Sequence, residues 1–251
     1  EPLMKISKSK NKTLESGFKQ EFICGYWVVY DRTRSKKITS VEYEFIIEGQ
    51  IDYFFVDGAV KYLKDLSENQ LENFLHEFAF EKSECIEGRF IICAVDLADK
   101  KIVLSTDPAG RKEIFYSQAD LRAGTNLDGF NVKQQSLDRI ALAQILAVHG
   151  SYCAKNMTVF EAIKRLDPSE KLIFDNEKIK IKSYPPEFIK INSECDFLES
   201  YYTAYKTVMQ EISENEVWIF MSSGWDSSSI LAMLKHVGMD SRRIKPVIGR
   251  F

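Results

Sequence analysis

EVWIFMSSGWDSS, Glu216–Ser228, is the stretch that decides the fold of the chain's C-terminal part. Its first portion, Glu216–Met221, is a short continuous apolar run, the pattern of a strand buried on both faces. Ser222–Ser228 is a loop of small residues. Ser229–Val237 has helical spacing and is closed by Gly238, and RIKPVIG (Arg243–Gly249) predicts the next strand. Strand, loop, helix and strand in that order predict the opening βαβ unit of a parallel sheet. Backbone N–H groups in such a loop point inward and are reinforced by the helix N-terminus, so the loop favours an anion. Small side chains let a phosphate approach the backbone, and the hydroxyls of Ser222, Ser227 and Ser228 can add hydrogen bonds. Asp226 suits a phosphate site when a divalent cation lies between carboxylate and phosphate as a shared partner. The bland alternative is a Ser/Gly-rich turn that simply starts a helix. A G-x-x-x-x-G-K-[ST] phosphate loop is excluded, because no lysine follows the glycine.

Outward from this loop, Asp196–Ile212 reads as a long amphipathic helix, and Tyr184–Ser193, with Pro185-Pro186, has the composition of a stiff linker. Before the linker, Lys171–Phe174 and Lys178–Ile181 pair around Asp175-Asn176. Thr158–Arg165 is expected to be a short helix stopped by Asp167-Pro168. Leu137–Val148 is expected to be an apolar helix capped by Ser136, with Gly150 just past its end. RFIICAV (Arg89–Val95), the turn Asp96–Lys101, IVLS (Ile102–Ser105), the turn Asp107–Gly110 and EIFYS (Glu113–Ser117) predict an antiparallel meander. Glu21–Tyr30, Val41–Ile47 and Ile51–Val56 read as three strands, the last punctuated by Asp57-Gly58. Residues 59–80 change to helical spacing, with Ser67 as N-cap of Glu68–Phe80.

The chain has 251 residues, enough for one large domain or two modest ones. Lys plus Arg is 34 and Asp plus Glu is 37, a formal charge of −3, which excludes a strongly basic nucleic-acid footprint. No apolar run is long enough to span a bilayer, and Glu1–Thr13 is polar and Lys-rich, unlike a secretory signal. Cys24, Cys85, Cys93, Cys153 and Cys195 are scattered and odd in number, and form no CxxC pair. Reduced thiols in a cytoplasmic protein are therefore expected rather than disulfides or a zinc site. His149 and His236, each near the end of a predicted helix, suit dipole partners better than bases. Arg89 and Arg111 suit solvated strand and turn positions, and the aromatics Tyr26, Trp27, Tyr30, Phe54 and Phe55 suit a core.

SSGWDSS, Ser222–Ser228, resembles the SGGxDS pyrophosphate loop of the ATP-pyrophosphatase enzymes. The segment Glu87–Tyr116 narrows the resemblance to the asparagine synthetase family, with Gly88-x-Phe90, Asp96, Asp107, Gly110 and Phe115-Tyr116 in matching positions. Leu166–Ser169 resembles that family's inter-domain Leu-x-Pro-Gly turn, with Thr158-Val159-Phe160 before it and Ser183-Tyr184 after it. The resemblance implies an α+β Ntn-hydrolase-like αββα sandwich over residues 1–190. It implies the beginning of an α/β parallel-sheet PP-loop synthetase domain over 191–251. It further implies an ATP- and Mg²⁺-dependent ligase that adenylates a small-molecule or peptide carboxylate, releases pyrophosphate and forms an amide; a homodimer is compatible with it. Ser222, Ser223, Gly224, Asp226, Ser227 and Ser228 would hold ATP phosphates, with Asp226 on the metal. Ser223 stands where the family usually has glycine, and its side chain would crowd the pyrophosphate.

A glutaminase of this class needs an N-terminal cysteine whose free amino group is the base for its thiol. This chain begins Glu1-Pro2, and Cys24-Gly25 resembles such a start only if the Ile23–Cys24 bond is cut; otherwise Cys24 is a core residue within a strand. No Arg-Gly-Pro-Asp or Asn-Gly-Glu equivalent is present, the nearest run being Ile47-Glu48-Gly49-Gln50-Ile51. The sequence is thus closer to β-lactam synthetases and lasso-peptide cyclases, which resemble asparagine synthetase but take the amine from the substrate itself. Two alternatives stand beside the ligase: a glutamine-hydrolysing enzyme with Cys24 exposed by processing, and an inactive relic that serves as a binding module. A PP-loop domain needs more strands than 251 residues supply here, so the chain is expected to be a fragment.

Overall fold

The computed structural model describes residues 4–10, 16–56, 59–81, 86–147, 156–175, 177–184, 193–213, 215–222 and 224–248. The chain divides into two compact units, Glu1–Pro186 and Glu187–Phe251. No described helix is long and apolar enough to cross a membrane.

In the first unit the chain runs through β1 (Met4–Ser7), β2 (Phe18–Ile23), β3 (Tyr26–Asp31), β4 (Ser35–Thr39), β5 (Tyr43–Val56), β6 (Ala59–Lys61) and α1 (Glu68–Phe80). It continues through β7 (Ile86–Asp96), β8 (Lys101–Thr106), β9 (Phe115–Ser117), β10 (Arg122–Gly124), α2 (Arg139–Ala147), β11 (Lys164–Arg165), β12 (Glu170–Asp175) and β13 (Lys178–Ser183). One antiparallel sheet has the order β11-β9-β10-β1-β3-β2; the other has the order β13-β12-β8-β7-β5-β4, with β6 paired to β5. A core of Met4, Ile6, Tyr26 and Val28 from the first sheet meets Ile46, Ile91, Cys93, Leu104 and Phe174 from the second, so the sheets pack face to face. The outer face of the second sheet carries Phe45, Ile47, Phe90, Ile92 and Ala94, and these pack under Leu71, Leu75, Phe78 and Ala79 of α1. Fully burying each of the larger side chains contributes about 1.5–3 kcal/mol.

α1 begins where the sequence predicts. The Ser67 hydroxyl accepts from the Gln70 amide and the Gln70 side chain accepts from the Ser67 amide, a complete capping box. The helical spacing does not reach back to residue 59, since Ala59–Lys61 is a strand. The predicted strands Val41–Ile47 and Ile51–Val56 are one long strand, β5. A bulge between Ile51 and Tyr53 shifts the register and leaves both Ile51 and Phe54 on the α1 face. Asp57-Gly58 lie outside the described residues.

Four expectations are corrected. The run Glu21–Tyr30 folds back on itself: β2 and β3 are joined by Cys24-Gly25, whose φ values of 51° and 84° suit a two-residue primed turn. The predicted meander breaks after β8, because β9 pairs with β10 and β11 in the other sheet. α2 starts at Arg139, capped by the Asp138 carboxylate, which accepts from the Ile140 and Ala141 amides at 3.1 and 3.0 Å. Leu137, beside Ser136, instead forms a bridge with Phe160. Thr158–Arg165 is not a helix. The Thr158 hydroxyl donates to the Ile163 carbonyl at 2.7 Å and accepts from the Phe160 amide at 3.1 Å, a local competition that takes the backbone out of helical pairing. α2 buries only Ala141, so the fourth layer of the expected αββα sandwich has no core of its own among the described residues.

The second unit has α3 (Glu194–Ile212), β14 (Val217–Met221), α4 (Trp225–His236) and β15 (Ile244–Ile248). β14 and β15 are parallel, in register from Val217↔Ile244 to Met221↔Ile248, and α4 connects them. α3 is capped by Ser193, whose hydroxyl accepts from Asp196 N at 3.1 Å. After α4, the Met239 amide reaches the Leu234 carbonyl and the Gly238 amide the Lys235 carbonyl, both at 3.0 Å, closing the helix as Gly238 predicted. β14 is not covered on both faces. Ile219 is buried with Met209, Leu234 and Ile244, whereas Trp218 and Phe220 on the other face are 64% and 80% exposed.

Gly49 in β5 has φ +104°, and a Cβ there would lie 2.2 Å from the Arg89 carbonyl oxygen. Gly49→Ala is therefore expected to destabilise the first unit by about 2 kcal/mol or more, measured as a lower midpoint in urea unfolding followed by circular dichroism.

Candidate functional site

The loop of the second unit is built by its serines. The Ser222 hydroxyl accepts from the Gly224 amide at 3.1 Å and lies 3.2 Å from the Ser227 hydroxyl. Ser227 is buried; its Oγ accepts from the Ser222 amide at 3.1 Å and so fastens the end of β14 to the first turn of α4. Ser228 donates to the Gly224 carbonyl at 3.0 Å. Gly224 is the N-cap of α4 and supplies no side-chain cap, which leaves the first-turn amides of Trp225, Asp226 and Ser227 at an open helix end. Asp226 stands in that turn, and Trp225 is 91% exposed. The helix therefore starts at Trp225, not after Ser228. Ser223 lies outside the described residues.

A cavity of about 440 Å³ adjoins the loop, lined by Ser222, Asp226 and Ser227 on one side and by Met209, Ile219 and Ile230 on another. Uncapped amides at a helix N-terminus fit an anion. No group of three or more His, Cys, Asp or Glu side chains able to hold a metal occurs among the described residues. Asp226 is the one carboxylate that lines this cavity.

In the first unit, the turn after β8 is held from several directions. The buried Asp107 carboxylate accepts from the Arg111 and Lys112 amides at 3.0 and 3.2 Å. The Arg111 guanidinium donates to the Gly88 carbonyl at 2.7 Å and pairs with Glu87, so it is bound to β7 rather than simply solvated. Gly110, at φ +62°, approaches so closely that an added Cβ would lie 2.4 Å from Pro168 Cγ. The two segments that carried the resemblance, around Asp107 and around Leu166–Ser169, are therefore in contact. The Lys112 ammonium then pairs with Glu48, which is only 1% exposed and whose second carboxylate oxygen has no hydrogen-bond partner among the described residues. Burial pushes the Glu48 carboxyl above its usual range, and Lys112 opposes that rise. Sequence reasoning missed this pair. Its one signal is that Glu48 shares strand parity with Ile46, which faces the inter-sheet core.

Cys24 sits at the β2–β3 turn, not within a strand, with its thiol 4.0 Å from the Asp96 carbonyl. Burial first, and then the Asp96 charge, push the thiol up, away from the thiolate a nucleophile requires. β1 lies between β3 and β10, so removing the residues before Cys24 would take out a central strand. His236 at the end of α4 contacts the Tyr202 hydroxyl at 2.7 Å, and His149 lies outside the described residues.

Residues 70–185 match the family described as glutamine amidotransferase domain. No curated protein matches the chain. Among solved structures, the glutamine phosphoribosylpyrophosphate (PRPP) amidotransferase from B. subtilis, complexed with ADP and GMP, is 10% identical with a TM-score of 0.34, over 90% of this chain and 51% of that one. A structure described as the allosteric regulatory enzyme of purine biosynthesis is 9% identical with a TM-score of 0.36, over the same shares, 90% and 51%. The chain spans about half the length of these two structures.

Two measurements check the geometry. Lys112→Met strands the Glu48 carboxylate and is expected to cost about 3 kcal/mol in unfolding free energy at pH 7. Because the carboxyl is already raised, this deficit should shrink as the pH falls and Glu48 takes up a proton. Among the three described cysteines, alkylation with iodoacetamide at pH 7.5, mapped by mass spectrometry, should modify exposed Cys195 first, Cys24 more slowly and Cys93 last; burial pushes the Cys93 thiol up to about 12. By that family match, the chain carries a glutamine amidotransferase-type domain over residues 70–185.

Proposed function

We propose that this chain is part of an asparagine synthetase-like, ATP-dependent ligase that forms an amide bond and takes its amine from a source other than glutamine hydrolysis. The observation that carries this reading is the parallel β14–α4–β15 unit with its uncapped, serine-built loop, downstream of an amidotransferase-type domain. When bound, ATP would supply the adenylyl group that activates a carboxylate, with Mg²⁺ neutralising the pyrophosphate that leaves. The chain's own residues would act by binding and orientation. The amides of Trp225, Asp226 and Ser227 would hold phosphate oxygens, and Gly224 would leave room for them. Asp226 would hold the cation, while Ser222 and Ser227 keep the loop in shape. The proposed substrate is a small-molecule or peptide carboxylate, and the proposed compartment is the cytoplasm.

The absence of glutaminase activity is part of the proposal. It is supported by the position of Cys24 in a hairpin turn, its raised thiol, and the Glu48–Lys112 pair in the run nearest to an Asn-Gly-Glu motif. Calorimetric titration of the 251-residue chain with Mg-ATP tests the nucleotide site. Binding that weakens by about tenfold, or about 1.4 kcal/mol, in Asp226→Ala is the expected result. No binding by the wild-type chain, together with no pyrophosphate release from the full-length protein across a panel of carboxylates, would favour the inactive binding module instead.

A further inference from the structure

The C-terminal end of α1 holds a buried lysine that neither the loop nor the turn cluster uses. Lys171 of β12 is 8% exposed and shares its sheet face with α1. Its Nζ donates to the carbonyls of Phe78 and Glu81, which lie at the helix end where backbone acceptors lack intrahelical partners. The same Nζ stands 4.2 Å from the centre of the Tyr184 ring, and Lys182 Nζ stands 4.7 Å from that ring. The Tyr184 amide donates to the Ser169 carbonyl at 2.6 Å, and its hydroxyl to the Phe80 carbonyl at 3.4 Å. Two residues further on, at Pro186, the first unit ends. One amine thus joins a helix end, a strand and the last described residue of the unit.

We propose that Lys171 is a latch that holds Tyr184, and with it the C-terminal end of the first unit, on the end of α1, and that protonation of its amine sets how readily this end opens. The inference is independent of the ligase reading. An apolar residue would fill this position without the cost of burying an amine; what lysine adds over it is two or more N–H donors on a long stem. A neutral amine still has two N–H groups, enough for both carbonyls, so shedding the proton removes the burial cost and keeps the donor bonds.

The charged groups that act on the amine are Lys182 on β13 and Glu81 at the helix end, with Tyr184 the third titratable neighbour. Burial first, and then Lys182, lower the Lys171 pKa to about 8, against the opposing pull of Glu81. When the latch opens and the amine meets water, it regains an ordinary lysine pKa. The open form therefore binds more protons than the closed form above pH 8. By linkage, closure strengthens as pH rises from about 8 towards about 10, and is independent of pH below that window.

Amide hydrogen exchange on the full chain, followed by mass spectrometry between pH 7 and 9.5 and corrected for intrinsic exchange, tests this. In the wild type, protection at the Tyr184 and Glu81 amides should be flat up to about pH 8 and then rise, by at most about tenfold per pH unit. Lys171→Met should lower protection at both amides by about tenfold, abolish the rise with pH, and leave β7 and β8 as protected as in the wild type. Tyr184→Leu should loosen the end of β13 while the Glu81 amide keeps its protection. Unchanged protection in Lys171→Met, a wild-type profile without the alkaline rise, or loss of protection throughout β7 and β8 would each overturn the latch.

Discussion

The second sheet of the first unit must bury both of its faces, and most of the fold follows from that requirement. Its inner face carries Ile46, Ile91, Cys93 and Leu104 against the first sheet, and its outer face carries Phe45, Phe90, Ile92 and Ala94 against α1. A strand that is apolar on both sides needs a cover on each. The first sheet provides one and the capped α1 the other. The bulge in β5 belongs to the same constraint, because without the extra residue Phe54 would turn away from α1.

Polar groups inside this arrangement are held by turns. Asp107 stitches the turn after β8, Arg111 ties it to β7, and Gly110 packs on Pro168 in the turn before β12. The Lys112 ammonium completes the set by meeting Glu48 in the interior. A buried ion pair is weak evidence of net stability, but removing either partner alone leaves an uncompensated charge. The turns therefore form one coupled unit whose parts are not expected to respond independently to mutation. Apart from Glu48, these residues lie within the stretch that matches the glutamine amidotransferase domain.

The second unit combines an orderly loop with a bare sheet face. Ser222 and Ser227 fasten strand to helix, and Gly224 leaves the helix end without a side-chain cap. On the sheet, α3 and α4 cover Ile219 and Ile244, while Trp218 and Phe220 remain exposed in this unit.

Local signals made much of this protein legible in its sequence. Ser67 with Gln70, Ser193, and Gly238 marked helix ends because capping depends on residues only a few positions apart. The strand pairs β7–β8 and β12–β13 were legible because two-strand pairing around a short turn is also local. The order β14, α4, β15 followed from apolar runs and small residues alone. Only the tertiary structure decided that Glu21–Tyr30 bends at Cys24, that β9 leaves its neighbours for the other sheet, that Thr158–Arg165 is not helical, that Glu48 and Lys171 are buried, and that Lys112 pairs with Glu48. Each of these depends on which distant residues lie opposite. Apolar periodicity shows that a side chain wants cover; which sheet, helix end or counter-charge provides it is set by packing between segments far apart in the chain.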